Sequence, residues 1–207
     1  KGKSVLITGA GGSIGAEIVA QVCAFGPRQL ILFDIDETEL HNLGLKLGRL
    51  FPHLTEQIVY VTGDIRDEQR LREIFGKYLP RIVFHAAAYK HVPMMEANPQ
   101  EAVKVNVFGT FNLARAACEK RVEKFVMIST DKAVMPTSVM GATKRVAEYI
   151  CGAFKQESGA RSQEPGEKKG AYSPSPLPSP VKGEGIRKVA SSVKGEGIEG
   201  GGKVWET

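Results

Sequence analysis

The sequence predicts a doubly wound parallel α/β sheet on three observations. Five short apolar runs recur through roughly the first 155 residues, a helical pattern follows each run, and a glycine-rich turn joins the first run to the first helix. The runs are SVLIT (4–8), QLILF (29–33), QIVYVT (57–62), RIVFHA (81–86) and KFVMIS (124–129). They are apolar on both faces, as strands must be when helices cover both sides of a parallel sheet. The intervening helical patterns fall at about 13–25, 37–50, 67–78, 97–119 and 140–157. In such a sheet ligands bind at the carboxyl ends of the strands.

The chain changes character near Gly159, which divides it into 1–159 and 160–207. AYSPSPLPSP (171–180) places four prolines in ten residues, VKGEGI occurs at 181–186 and again at 193–198, and Gly200, Gly201 and Gly202 follow. A segment of this kind buries too little apolar surface to offset the entropy of ordering it. The second part is therefore expected to be a disordered tail, either a repetitive element in place of a natural C-terminal part or a flexible linker. With no further strand after Gly159, the fifth strand would be an open edge, and Val146, Ile150 and Phe154 would lie partly in water.

Composition excludes several classes of function. The net charge of +5 is spread along the chain, with +2 of it from residue 161 onward, so no basic patch points to nucleic acid. Cys23, Cys118 and Cys151 lie in helical patterns without metal-ligand spacing and read as buried thiols in a reducing compartment, with no metal site. No run approaches the ~20 apolar residues of a membrane span, and no signal peptide is visible. The chain starts at Lys1 and enters a strand almost at once, and it reads as a piece of something longer.

The chemistry begins at Thr8-Gly9-Ala10-Gly11-Gly12-Ser13-Ile14-Gly15, between the first strand and the first helix. Gly9, Gly12 and Gly15 form a G-x-x-G-x-x-G variant of the dinucleotide fingerprint. Glycines let the backbone turn tightly against a pyrophosphate, whose charge meets the helix N-terminus. Asp34 ends LILFD 19 residues after Gly15, where a carboxylate accepts hydrogen bonds from the adenosine ribose and repels a 2′-phosphate. Asp36 and Glu37 deepen that negative field, so NAD is expected as cofactor, with NADP the alternative. Asp36 also suits a helix N-cap. Asp64 and Ile65 close the third strand, either holding adenine or forming a turn with a capping aspartate.

TGAGGSIG (8–15), FHAAAYKHVPMMEANP (84–99), KVNVFGT (104–110), ISTDKAV (128–134) and MGATKR (140–145), taken in order, resemble the polysaccharide-biosynthesis nucleotide-sugar 4,6-dehydratases. These are extended short-chain dehydrogenase/reductases, and the likeness is to their larger, often membrane-tethered branch. It covers about residues 1–157. It implies a Rossmann-type sheet truncated before a C-terminal substrate-binding part. It also implies conversion of UDP-N-acetylglucosamine, or a close relative, to a 4-keto-6-deoxy sugar for surface glycans. A cytoplasmic homo-oligomer, tethered in longer relatives by N-terminal helices absent from this sequence, is implied as well.

On that resemblance, NAD takes hydride from C4, water leaves across C5–C6 and the hydride returns to C6. Asp131 is the candidate acid for the C6 hydroxyl and Lys132 the candidate base at C5. Each needs a shifted pKa, expected from proximity and burial. Met140 stands where most of the superfamily has a tyrosine, in Met140-x-x-x-Lys144. Lys144 can still bind the nicotinamide ribose from the same helix face, while a thioether takes no proton, leaving Thr130 as a route for the C4 proton. Ala86, Ala87 and Ala88 let the backbone pass close to the cofactor. Lys90, His91 and Glu96 are implied to contact substrate, although His91 suits a loop equally, and Asn106 is expected to be architectural. A nucleotide-sugar epimerase and a non-catalytic NAD-binding module are the competing readings.

Overall fold

The structure, a computed structural model, describes residues 1–161 and 202–206; side chains are described through Lys155. Five parallel strands form the sheet: β1 (Ser4–Thr8), β2 (Gln29–Asp34), β3 (Ile58–Thr62), β4 (Ile82–His85) and β5 (Lys124–Ile128). A sixth, β6 (Gly202–Glu206), gives the order β3-β2-β1-β4-β5-β6. From β1 the chain builds outward through β2 and β3, then returns to place β4 on the other side of β1. The reversal opens a crevice at the carboxyl ends of β1 and β4.

Alternation along each strand divides the core into two layers. Leu6, Ile31, Phe33, Val83, Phe125 and Met127 face one side of the sheet. They pack under α3 (Glu68–Tyr78), α6 (Thr110–Glu119) and α7 (Val139–Arg161). Val5, Ile7, Leu30, Leu32 and Ile58 face the other, under α1 (Ser13–Ala24) and α2 (Glu37–Leu50). Burial on both faces is what the continuous apolar runs require. Asp36 caps α2 as expected, accepting from the Glu39 amide at 3.0 Å, and Asp67 caps α3 in the same way. Cys23, Cys118 and Cys151 are buried thiols.

The structure differs from expectation in two places. A separate helix, α4 (Val92–Ala97), precedes the helix expected over 97–119, which runs unbroken as α5 (Pro99–Ala102), a π-helical segment (Val103–Gly109) and α6. Pro99 lacks an amide N–H and starts a new helix, and the π segment carries Asn106 to the Tyr89 backbone and Thr143. The second difference lies at the sheet edge. Strand β5 is not open: β6 pairs with it antiparallel, Ile128 opposite Gly202 and Lys124 opposite Glu206. Residues 202–206 can pair despite their composition because a strand ladder is made by backbone groups, which every residue but proline supplies. Helix α7 also runs past 159 to Arg161. The prolines and both VKGEGI copies lie outside the described residues. On α7, Val146 is 43% exposed, and Ile150 and Phe154 are only partly covered, in line with expectation. Among the described residues no helix is long and apolar enough to cross a membrane, and no cluster of three or more His, Cys, Asp or Glu could hold a metal ion.

Candidate functional site

A cavity of about 260 Å³ opens at the carboxyl ends of β1, β2 and β4. Its floor is the glycine-rich turn. Gly9 has φ +70°, and a Cβ there would meet the Ala87 amide nitrogen at 2.5 Å. Only glycine permits both the left-handed backbone and that approach. A Cβ on Gly15 would lie 1.8 Å from the Gly9 carbonyl oxygen, so the turn closes onto α1 only without a side chain. Helix α1 starts after Gly12 with no side-chain cap and no acid in its first turn. Its first amides are left for an anion, where the helix dipole favours one.

Asp34 stands on the far wall. One carboxylate oxygen accepts from the Gly11 amide at 2.8 Å and the other from the Asp36 amide at 3.1 Å. Gly11 itself does not line the cavity, and a Cβ there would meet the Glu39 Cβ at 2.7 Å. Asp36 and Glu39 line the cavity beside Asp34, whereas Glu37 does not. Just past the neighbouring β3, Asp64 accepts from the Arg66 amide at 2.8 Å and its guanidinium at 2.7 Å. Burial pushes the Asp64 carboxyl up, but the hydrogen bonds and charge of Arg66 outweigh it and hold the group below the usual carboxylate range.

The cavity thus brings together Gly9, Gly12, Ser13, Ile14, Gly15, Asp34, Asp64, Ile65, Ala86, Ala87, Ala88 and Lys90. The Lys90 amine lies 3.0 Å from Ser13 Oγ, over the start of α1. That places the amine at the glycine-rich turn. Thr8 does not line the cavity; its buried hydroxyl is 2.8 Å from His85 Nδ1. His91 is exposed. Glu96 accepts from the Val139 amide at 2.6 Å, so it caps the start of α7.

The residues after β5 form a second cluster, apart from those lining the cavity. Thr130 Oγ1 donates to Asp131 Oδ1 at 2.9 Å, and Lys132 Nζ pairs with the same oxygen at 3.5 Å. The Asp131 side chain is 87% exposed and that of Lys132 56%, so the burial expected to shift both is absent here. The hydrogen bond from Thr130, the Lys132 amide and the Lys132 charge hold the Asp131 carboxyl below its usual range. That direction is opposite to the one an acid catalyst needs. Met140 is buried against Met95 and Ala102. Lys144 Nζ, also buried, donates to the Ile128 carbonyl at 2.6 Å. Burial pulls Lys144 down to about 8, against the opposing effects of Cys151 and Glu148.

Sequence reading passed over a buried polar chain between the two clusters. Thr110 Oγ1 donates to the Asn106 carbonyl at 2.7 Å and lies 2.9 Å from His85 Nε2. Its one proton is thereby used, so Nε2 carries the ring proton and Nδ1 accepts from Thr8. Burial, aided by the Lys144 charge, pushes His85 down to about 3, and the ring is neutral. Asn106 accepts from the Tyr89 amide at 2.8 Å and donates to the Tyr89 carbonyl and Thr143 Oγ1. It ties the β4 loop to α7, the architectural role expected of it. A histidine inside an otherwise apolar strand was the available signal for the chain.

A parallel sheet with its cleft at the strand-order reversal and a G-x-x-G-x-x-G turn beneath it defines a Rossmann-type protein of the short-chain dehydrogenase/reductase class. The chain belongs to the family described as polysaccharide biosynthesis protein, which it matches over residues 5–165. It is 45% identical over 160 residues to the capsular polysaccharide biosynthesis protein CapD of Staphylococcus aureus, covering 77% of this chain and 26% of that protein. An inverting UDP-N-acetylglucosamine 4,6-dehydratase of Campylobacter jejuni is 35% identical, covering 72% of this chain and 42% of the enzyme. A UDP-glucose 4-epimerase of Rickettsia rickettsii is 32% identical over the same shares. The chain therefore spans from a quarter to less than half of these relatives. Among solved structures, Pen from Bacillus thuringiensis superposes with a TM-score of 0.71 at 36% identity, covering 77% of this chain and 47% of that one. MoeE5, in complex with UDP-glucose and NAD, superposes with a TM-score of 0.61 at 25% identity, covering 73% and 49%.

Proposed function

We propose that residues 1–159 are the NAD-binding part of a nucleotide-sugar 4,6-dehydratase. Its substrate would be UDP-N-acetylglucosamine or a close relative, used for surface polysaccharide in a cytoplasmic homo-oligomer. The observation that carries this reading is the Thr130-Asp131-Lys132 turn after β5, with Lys144 of α7 beside the same strand end. An adjacent acid and amine there suit removal of a proton and a hydroxyl from neighbouring carbons better than the inversion of a single centre. The residues present fit the cofactor: Gly9 and Gly15 leave a cradle that a Cβ would fill, and the first amides of α1 are uncapped.

NAD, when bound, supplies the acceptor for the C4 hydride and returns that hydride to C6. The amides of α1 and Lys90 would face its pyrophosphate, Asp34 the adenosine ribose, and Asp64 with Ile65 the adenine. Lys144 would meet the nicotinamide ribose, and Thr130 would pass on the C4 hydroxyl proton. Lys132 would take the C5 proton and return it as the hydride reaches C6, and Asp131 would protonate the leaving C6 hydroxyl. Asp131 can hold a proton only once sugar and a substrate-binding part cover it, because its exposed carboxyl favours the ionised form. Met140 would give shape and no proton.

Two measurements test the reading. The 207-residue chain should bind NAD in a calorimetric titration. UDP-N-acetylglucosamine incubated with a longer form carrying the substrate part should lose one water by mass spectrometry. A sugar of unchanged mass but altered proton NMR spectrum would establish the epimerase reading instead. An unchanged sugar together with intact NAD binding would leave a non-catalytic module.

A further inference from the structure

Helix α7 grips the last two residues of the β5 run with side chains four positions apart. Lys144 Nζ donates to the Ile128 carbonyl at 2.6 Å, and Ser129 Oγ donates to Glu148 Oε1 at 2.8 Å. The other Glu148 oxygen pairs with Arg145 at 3.0 Å, and Arg145 lies over the Tyr149 ring, 4.8 Å from its centroid. Residues four apart share a helix face, so both grips act from one surface of α7. A third contact falls one turn earlier. A Cβ at Gly141 would lie 2.4 Å from the Lys132 carbonyl oxygen, so α7 lies directly against the turn that follows Ser129.

Glu148 is 8% exposed and Ser129 7%. A carboxylate at such a position is costly unless it is paired and hydrogen-bonded, and an apolar residue of similar volume would serve packing equally well. Oε1 instead accepts from Ser129 and Oε2 pairs with Arg145, so the carboxylate ties the end of β5 to the helix. With the Ser129 hydroxyl committed to Glu148, the Thr130 hydroxyl is the one that meets Asp131. We propose that Glu148 is a positioning residue of this site: through Ser129 it fixes the Thr130-Asp131-Lys132 turn against α7, an assignment that rests on the dehydratase reading for the role of that turn.

Hydrogen exchange on the 207-residue chain, with a parallel NAD titration, tests the assignment. In Glu148→Ala the amides of Lys132, Ala133 and Val134 should exchange about tenfold faster relative to those of β1, because a charge-assisted hydrogen bond has been lost locally. Glu148→Gln keeps an acceptor for Ser129 and should restore near-parental exchange at the turn. Should Glu148→Ala fail to fold, Ser129→Ala removes the same hydrogen bond with little change of volume and should reproduce the selective rise. Parental exchange at the turn in both Glu148→Ala and Ser129→Ala would overturn the proposal. A rise spread evenly over the sheet would do so too, since that marks general stability. The two readings remain separable: a chain that does not bind NAD contradicts the proposed function, while the selective exchange response still decides the role of Glu148.

Discussion

The Gly11 amide donates to the Asp34 carboxylate at 2.8 Å, joining the glycine-rich turn to the end of β2. One side chain therefore both holds the glycine-rich turn and lines the cavity beside Asp36 and Glu39.

NAD should bind more tightly than NADP, because a 2′-phosphate would be forced against Asp34, Asp36 and Glu39, which all line the cavity there. Asp34→Ala should narrow the preference and also weaken NAD by roughly ten- to a hundredfold, since a hydrogen bond to a charged group contributes roughly 1.5–3 kcal/mol. Calorimetric titration with both cofactors checks this, and equal binding of NADP to the unaltered chain would contradict it.

Asp131→Asn and Lys132→Ala, made in a longer form with the substrate part, should each abolish dehydration while NAD binding survives. Neither residue lines the cavity. Met140→Leu should cost less than about 1.5 kcal/mol of stability, as a volume-conserving swap does, and leave turnover nearly unchanged. A loss of turnover in that variant as large as in Lys132→Ala would assign the thioether a chemical task.

Lys144 sets a dependence on alkaline pH. Its pKa falls from 10.5 to about 8 on folding because it is buried. The unfolded chain therefore binds more protons between those values, and this group's contribution to stability rises with pH across that window. Relative to Lys144→Met, the unaltered chain should gain up to roughly 3 kcal/mol between pH 8 and pH 10.5. Denaturant melts of both proteins at several pH values measure the difference; parallel profiles would show that the amine is not desolvated.

His85 works at the acid end. Its pKa falls from 6.5 to about 3 on folding through burial. The stability linked to its neutral form is complete above pH 6.5 and is lost as pH falls toward 3, by several kcal/mol. His85→Gln retains one donor and one acceptor and should flatten that loss. Acid titrations of the two proteins followed by circular dichroism give the comparison.

What the sequence determined by itself was whatever depends on neighbours along the chain. The five strands, the Gly9–Gly12–Gly15 turn and the Asp36 cap follow from backbone conformation and period, which a few adjacent residues set. The family was legible too, because its motifs are short runs in a definite order. Tertiary structure alone decided the partners of the polar side chains. Lys90 reaches Ser13 across 77 residues, Glu96 caps Val139 across 43, and His85 bridges Thr8 and Thr110 across 77 and 25. It also decided that β6 covers the edge of β5, and that Asp131 lies exposed where a buried acid was expected. Lys144 and Glu148 stand four apart on a legible helix face, yet nothing local shows that β5 ends against it. Hydrogen bonds and desolvation depend on which surfaces the fold brings within about 3 Å, and that is settled only when the strands and helices pack.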